Sequence, residues 1–161
     1  MRAEYECAAS LGEVSRLAEK LSARTMIFDI EPLVAHWDSG RATLDQGIAQ
    51  VLGETATVPG LQLVCFATNS SRRPSALPNQ AQVRVVYLAS AGKPLRTAPY
   101  LGFPRPGVVI GDQVVTDGIL ALRLGYAFVL YDAQTRTVPL GPRLMDAWGQ
   151  IVRPLLFRRA D

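Results

Sequence analysis

Residues 25–29 read Thr-Met-Ile-Phe-Asp, and residues 107–112 read Gly-Val-Val-Ile-Gly-Asp. Each is a short apolar run that ends on a carboxylate. Runs of four to eight apolar residues bounded by turn residues mark strands buried on both faces. Three more stand outward from these two: 61–67 (LQLVCFA), followed by Thr68, then 83–88 (VRVVYL) and 126–130 (YAFVL). Helical patterns fall between them. Leu11, Val14, Leu17, Ala18 and Leu21 share one stripe of a helix over 10–22, and Leu44, Ile48, Val51 and Leu52 share one over 41–52. A third helix is predicted over 114–124, stopped by Gly125, and a fourth over 142–156, bent at Pro154. Strands separated by helices predict an α/β fold. It is three-layered and Rossmann-like, with a mostly parallel sheet of about five strands and helices on both faces. Segments 69–80 and 132–142, rich in Ser, Pro, Arg, Asn and Thr, read as loops.

The 161 residues suit one domain with a core large enough to need no disulfide or structural metal. Its parts are an N-terminal helix within 1–23, a core over 24–131, and a C-terminal loop and helix over 132–161. The chain is 48% hydrophobic and 19% charged, a balance that excludes a disordered protein. A net charge of +3 does not call for nucleic acid, and none is expected as a partner. Arg153, Arg158 and Arg159 cluster near the C-terminus, either as a solvated tail or as a contact for an anionic membrane surface. Cys65 lies inside an apolar run and reads as a core thiol. The two cysteines make no disulfide framework, and the N-terminal residues show no signal-peptide pattern, so a cytoplasmic location is expected. Trp37 and Trp148 read as packing residues, and His36, the only histidine, as structural.

The polar residues that follow the strands carry the chemistry. In an open parallel sheet the carboxyl ends of the strands line one crevice. Asp29, the Thr68–Asn69 pair and Asp112 all lie at such ends. Asp117 follows at the start of a helix, and Lys93 sits in a Gly-Lys-Pro loop. Carboxylates with few other ligands suit Mg²⁺, a hard cation. A carboxylate can also attack phosphorus, with Thr68 and Lys93 placed to hold and neutralise a phosphoryl group.

These residues, in this order, resemble the haloacid dehalogenase superfamily. TMIFDIEPL is similar to its first motif, CFATNSS to its second, AGKP to the lysine of its third, and VVIGDQVVTD to its acidic fourth. The nearest likeness is to the small, capless YqeG-like phosphatases of subclass IIIA, relatives of phosphatidylglycerophosphate phosphatases. The stretch ending in Trp37–Asp38 adds to that likeness. The resemblance spans roughly residues 24–131. It implies an Mg²⁺-dependent phosphatase that works through an aspartyl-phosphate. Asp29 would be nucleophile and metal ligand, and Glu31 the general acid/base, with its backbone carbonyl on the metal. Thr68, Asn69 and Lys93 would bind the substrate. Asp112 and Asp117 would complete the metal site. With no room for a large cap domain over 32–60 or 69–92, the crevice would accept a bulky phosphorylated substrate, such as a lipid head group or a macromolecule.

The chain departs from the family at Glu31-Pro32-Leu33, where Asp stands at the second position of the pattern. Glu carries its carboxyl one methylene further out, and Pro32 removes a backbone N–H from the phosphate loop. Two readings follow: a slow phosphatase, or a non-catalytic relative that binds a phosphorylated ligand or partner. A response-regulator receiver domain uses similar residues but places its acidic pair before the phosphorylated Asp, whereas Asp112 and Asp117 come last here.

Overall fold

The computed structural model describes residues 3–132 and 140–159. Among the described residues the chain forms one α/β sheet of seven strands, and every pairing is parallel. In chain order the strands are β1 (Ala3–Ala8), β2 (Thr25–Asp29), β3 (Leu63–Ala67), β4 (Arg84–Leu88), β5 (Gly107–Gly111), β6 (Ala127–Tyr131) and β7 (Phe157–Arg159). The helices are α1 (Leu11–Lys20), α2 (Arg41–Thr55), α3 (Ile119–Leu124) and α4 (Leu140–Leu156). Across the sheet the order is β4-β3-β2-β5-β6-β1-β7.

The central strands β2, β3 and β5 are buried at every position because both faces of the sheet are covered. Met26 and Phe28 of β2 face one core with Val64, Phe66, Val108 and Ile110. Val14 and Ala18 of α1 and Leu44, Ile48, Val51 and Leu52 of α2 close that side. Ile27 points the other way, with Leu63, Cys65 and Val109, and α3 covers it with Leu120, Ala121 and Leu124. This alternation is the two-residue period of a strand, and it gives the three layers of a Rossmann-like fold.

Local chemistry sets the element ends. Ser10 caps α1: its Oγ accepts from the Glu13 N–H at 3.2 Å, and the Glu13 carboxylate accepts from the Ala9 N–H at 2.7 Å, a variant of the capping box. α3 ends at Gly125, whose φ of +65° is the left-handed stop that glycine allows.

The expected count of five strands is corrected to seven. β1 lies inside the segment 1–23, where the sequence predicts a helix and no strand. Its sequence, AEYECA, sets charged residues around Tyr5 and lacks the apolar run of the other inner strands. β7 is three residues long, Phe-Arg-Arg, too short to leave a pattern. The predicted helix over 114–124 opens instead with one π turn, Val114–Gly118, before α3 begins. α4 starts at Leu140, two residues early, and runs through Pro154 to Leu156. The rest of the loop expected over 132–142 falls mostly on 133–139, outside the described residues. Among the described residues, no helix is long and apolar enough to cross a membrane.

Candidate active site at the switch point of the sheet

The chain lays β3 and β4 on one side of β2 and then returns to place β5 on the other. The strand order therefore reverses between β2 and β5, which is where ligands bind in open α/β sheets. Asp29 ends β2, and Asp112 follows Gly111 at the end of β5. Asp117 stands in the π turn just beyond. These three carboxylates offer oxygens that all lie within 4.8 Å of one another. A Cβ at Gly111 would collide with the Asp117 carboxylate, so the glycine makes room for the cluster.

Lys93 supplies the opposite charge. Its Nζ donates to Asp29 Oδ1 at 2.8 Å and to Asp117 Oδ1 at 2.7 Å, with all three side chains largely or wholly buried. Burial works to lower the lysine pKa, but attraction to Asp117 and Asp29 outweighs it, and the net shift is upward. Burial, then repulsion from Asp117, raises the Asp29 carboxyl well above the usual carboxylate range despite the pull of Lys93. One ammonium shared by the Asp29 and Asp117 carboxylates leaves that pair short of positive charge. A divalent cation fits that deficit, and oxygen-only ligands suit a hard ion such as Mg²⁺. Asp29 and Asp117 each already give Oδ1 to Lys93, and Asp117 Oδ2 also accepts from Thr116 Oγ1 at 3.2 Å, so Asp117 has the less free carboxylate of the two.

Asn69 fixes Lys93 from the other direction. Its side-chain amide donates to the Lys93 carbonyl at 3.0 Å and accepts from the Lys93 N–H at 2.7 Å. The residue placed among substrate ligands by its position thus holds the lysine loop to the end of β3.

The Glu31 side chain stands apart from the three aspartates. Its carboxylate accepts from Thr68 Oγ1 at 2.7 Å and from Ser70 Oγ at 3.4 Å, and it lies 3.7 Å from the Arg72 guanidinium. Thr68 and Lys93, the two groups expected to hold a phosphoryl oxygen, both already face carboxylates. Arg72 also donates to the backbone carbonyls of His36 at 2.8 Å and Ser39 at 2.6 Å, tying the loop after β3 to the loop after β2.

Above these groups opens a cavity of about 430 Å³, lined by Asp29, Glu31, Thr68, Asn69, Lys93 and further side chains. Sequence reasoning missed Ser70, Arg72, Gln113 and Thr116, which also line it. Ser70 and Arg72 directly follow Thr68–Asn69 in CFATNSSRR, so proximity to a strand end was the available signal. Trp37, expected to pack, lines the cavity too, with His36 edge-on to its ring at 5.1 Å. His36 itself pairs with Asp38 at 2.6 Å, away from the aspartate cluster. Cys65 is buried as expected, and burial pushes its thiol up to about 12.

Fold and site together define a Rossmann-like α/β protein with a buried carboxylate–lysine cluster at the switch point of its sheet. Family models, curated proteins and solved structures all give no match to this chain.

Proposed function

We propose that the protein is an Mg²⁺-dependent phosphatase of the haloacid dehalogenase type, acting on a phosphate monoester in a reducing, cytoplasmic setting. The observation that carries this reading is the Lys93 ammonium held between Asp29 and Asp117, with Asp112 beside them. Of the three clustered aspartates, Asp29 is the one that lines the cavity a phosphate ester would enter. In this reading an Asp29 oxygen attacks phosphorus, the ester oxygen leaves, and an aspartyl-phosphate forms. Glu31 gives the departing oxygen its proton and then takes one from the water that hydrolyses the intermediate. Lys93 and Thr68 bind the equatorial oxygens. Mg²⁺, held by Asp29, Asp112 and the Glu31 backbone carbonyl with Asp117 behind them, would neutralise phosphoryl charge.

A second reading has its own support. The Glu31 carboxylate occupies the hydroxyls of Thr68 and Ser70 and lies near Arg72, so it sits where an anionic ligand would seek donors. A phosphate must displace it. The protein in that reading binds phosphorylated ligands with little turnover.

Phosphate release with Mg²⁺ over a panel of phosphate esters separates the two. Release by the natural chain, and none by a folded Asp29→Asn variant, is the expected result, since the amide cannot form the aspartyl-phosphate. Activity that survives in Asp29→Asn would place hydrolysis elsewhere. Calorimetry should show Mg²⁺ binding weakened at least about tenfold by Asp112→Ala, a loss of about 1.4 kcal/mol. Unchanged affinity would remove Asp112 from the metal site.

A further inference from the structure

The outer face of α4 carries Leu144, Trp148, Ile151 and Leu155, each 58–65% exposed. Their spacing of four, three and four residues puts them in one narrow stripe along the helix. The opposite side of α4 is used for folding. Gly149 lies against Val114 of the π turn, and Arg153 turns inward over the Tyr5 ring at 5.8 Å. Trp148, expected to pack, does not, and a helix ordinarily faces such residues inward. Exposed contiguous apolar surface of this kind marks an interaction site.

The charge of this segment of the sequence points to the partner. Over 140–159 the charged residues are Arg143, Asp146, Arg153, Arg158 and Arg159, four positive and one negative. Arg158 and Arg159 are exposed on β7, directly after the helix. A second copy of the chain would bring like charges together. It would also meet only four apolar side chains, against the roughly 20 to 30 residues a side of a standard stable interface. A tryptophan among leucine and isoleucine, next to arginines, matches an amphipathic helix lying in the headgroup layer of an anionic bilayer.

We propose that α4 docks the protein on anionic membrane surfaces, with Leu144, Trp148, Ile151 and Leu155 entering the headgroup boundary and Arg159, on the same face of the sheet as the helix, meeting anionic lipid. Because β6 and β7 run parallel, α4 runs antiparallel to them. Its Leu144 end therefore lies toward the strand ends where the crevice opens. The docking stands independently of the phosphatase reading.

Flotation of the full chain with vesicles tests it. Binding is expected to phosphatidylcholine vesicles containing phosphatidylserine, much less to phosphatidylcholine alone, and to fall as salt rises. The fluorescence of Trp148, isolated in a Trp37→Phe background, should shift to the blue on binding. A double substitution, Ile151→Ser with Leu155→Ser, should lower the vesicle-bound population at least about tenfold, and Arg159→Glu should also lower it. Ile151, Leu155 and Arg159 are exposed, so circular dichroism should report an unchanged fold. Phosphate release from a soluble ester should also be unchanged, which separates failure of docking from failure of the proposed chemistry. Absence of binding to phosphatidylserine vesicles would overturn the proposal. So would equal binding by the variants, or a dimer in sedimentation that Ile151→Ser dissociates.

Discussion

At the inner end of the crevice one ammonium faces buried carboxylates; at the outer end one carboxylate faces two hydroxyls and a guanidinium. Lys93 lies within 2.8 Å of Asp29 and 2.7 Å of Asp117 with almost no solvent access. Glu31 takes a bond of 2.7 Å from Thr68 and a longer one of 3.4 Å from Ser70 at the cavity wall. The inner end has too little positive charge for its carboxylates, and a cation or a proton must make up the difference. The outer end is satisfied by its own residues, and an entering phosphate has to compete with them. In the proposed function, affinity for metal would therefore belong to the inner end, and the barrier to turnover to the outer one.

Breaking the inner end should have the largest effect. Lys93→Met leaves Asp29 and Asp117 buried without their counter-charge, and loss of one member of a buried ion pair costs about 3–5 kcal/mol. Urea unfolding without metal measures it, and Mg²⁺ should restore part of the loss by binding the native state. A change below about 1 kcal/mol, the scale of an exposed ion pair, would show that the two ends do not differ as described.

Reshaping the outer end should act on rate. A 1 Å misplacement of a catalytic group can cost on the order of 10²-fold. Glu31→Asp shortens the side chain by a methylene and frees Thr68 and Ser70 for phosphate. It should raise kcat on an alkyl phosphate by up to about that factor. The gain should be smaller on an aryl phosphate, whose leaving group needs less protonation. A slower Glu31→Asp enzyme on the alkyl ester would mean that the glutamate is fitted to this site. Steady-state rates on both esters decide it.

The smallest expected change lies in the strut between the two loops. Arg72→Ala removes donors to the His36 and Ser39 carbonyls and the charge beside Glu31. The expected stability loss is about 2 kcal/mol, in the range of hydrogen bonds to charged groups, measured in the same urea titration. KM should rise with it as the cavity wall loosens. A stability loss equal to that of Lys93→Met would place the two ends on one footing.

Much of this was legible from residue order. Apolar runs ending on Asp29, Thr68 and Asp112 imply parallel strands whose ends meet, and the meeting of Asp29, Asp112 and Asp117 follows from topology. Lys93 was legible in type and not in contact, because a loop lysine is brought to its carboxylates by tertiary ties such as the Asn69 clamp. β1 was hidden because AEYECA has no apolar run, and its pairing with β6 and β7 rests on partners far along the chain. The engagement of Glu31 by Thr68 spans 37 residues and depends on where two loops come to rest.

The sequence by itself determined the layers of the fold and the residues at the strand ends. Apolar periodicity and turn chemistry are local properties, and a parallel sheet turns them into a crevice. Tertiary structure alone decided which charges pair, where Trp37 and Trp148 point, and that the outer face of α4 stays uncovered. Pairing, burial and exposure are properties of the space between elements, and no short stretch of chain contains that space.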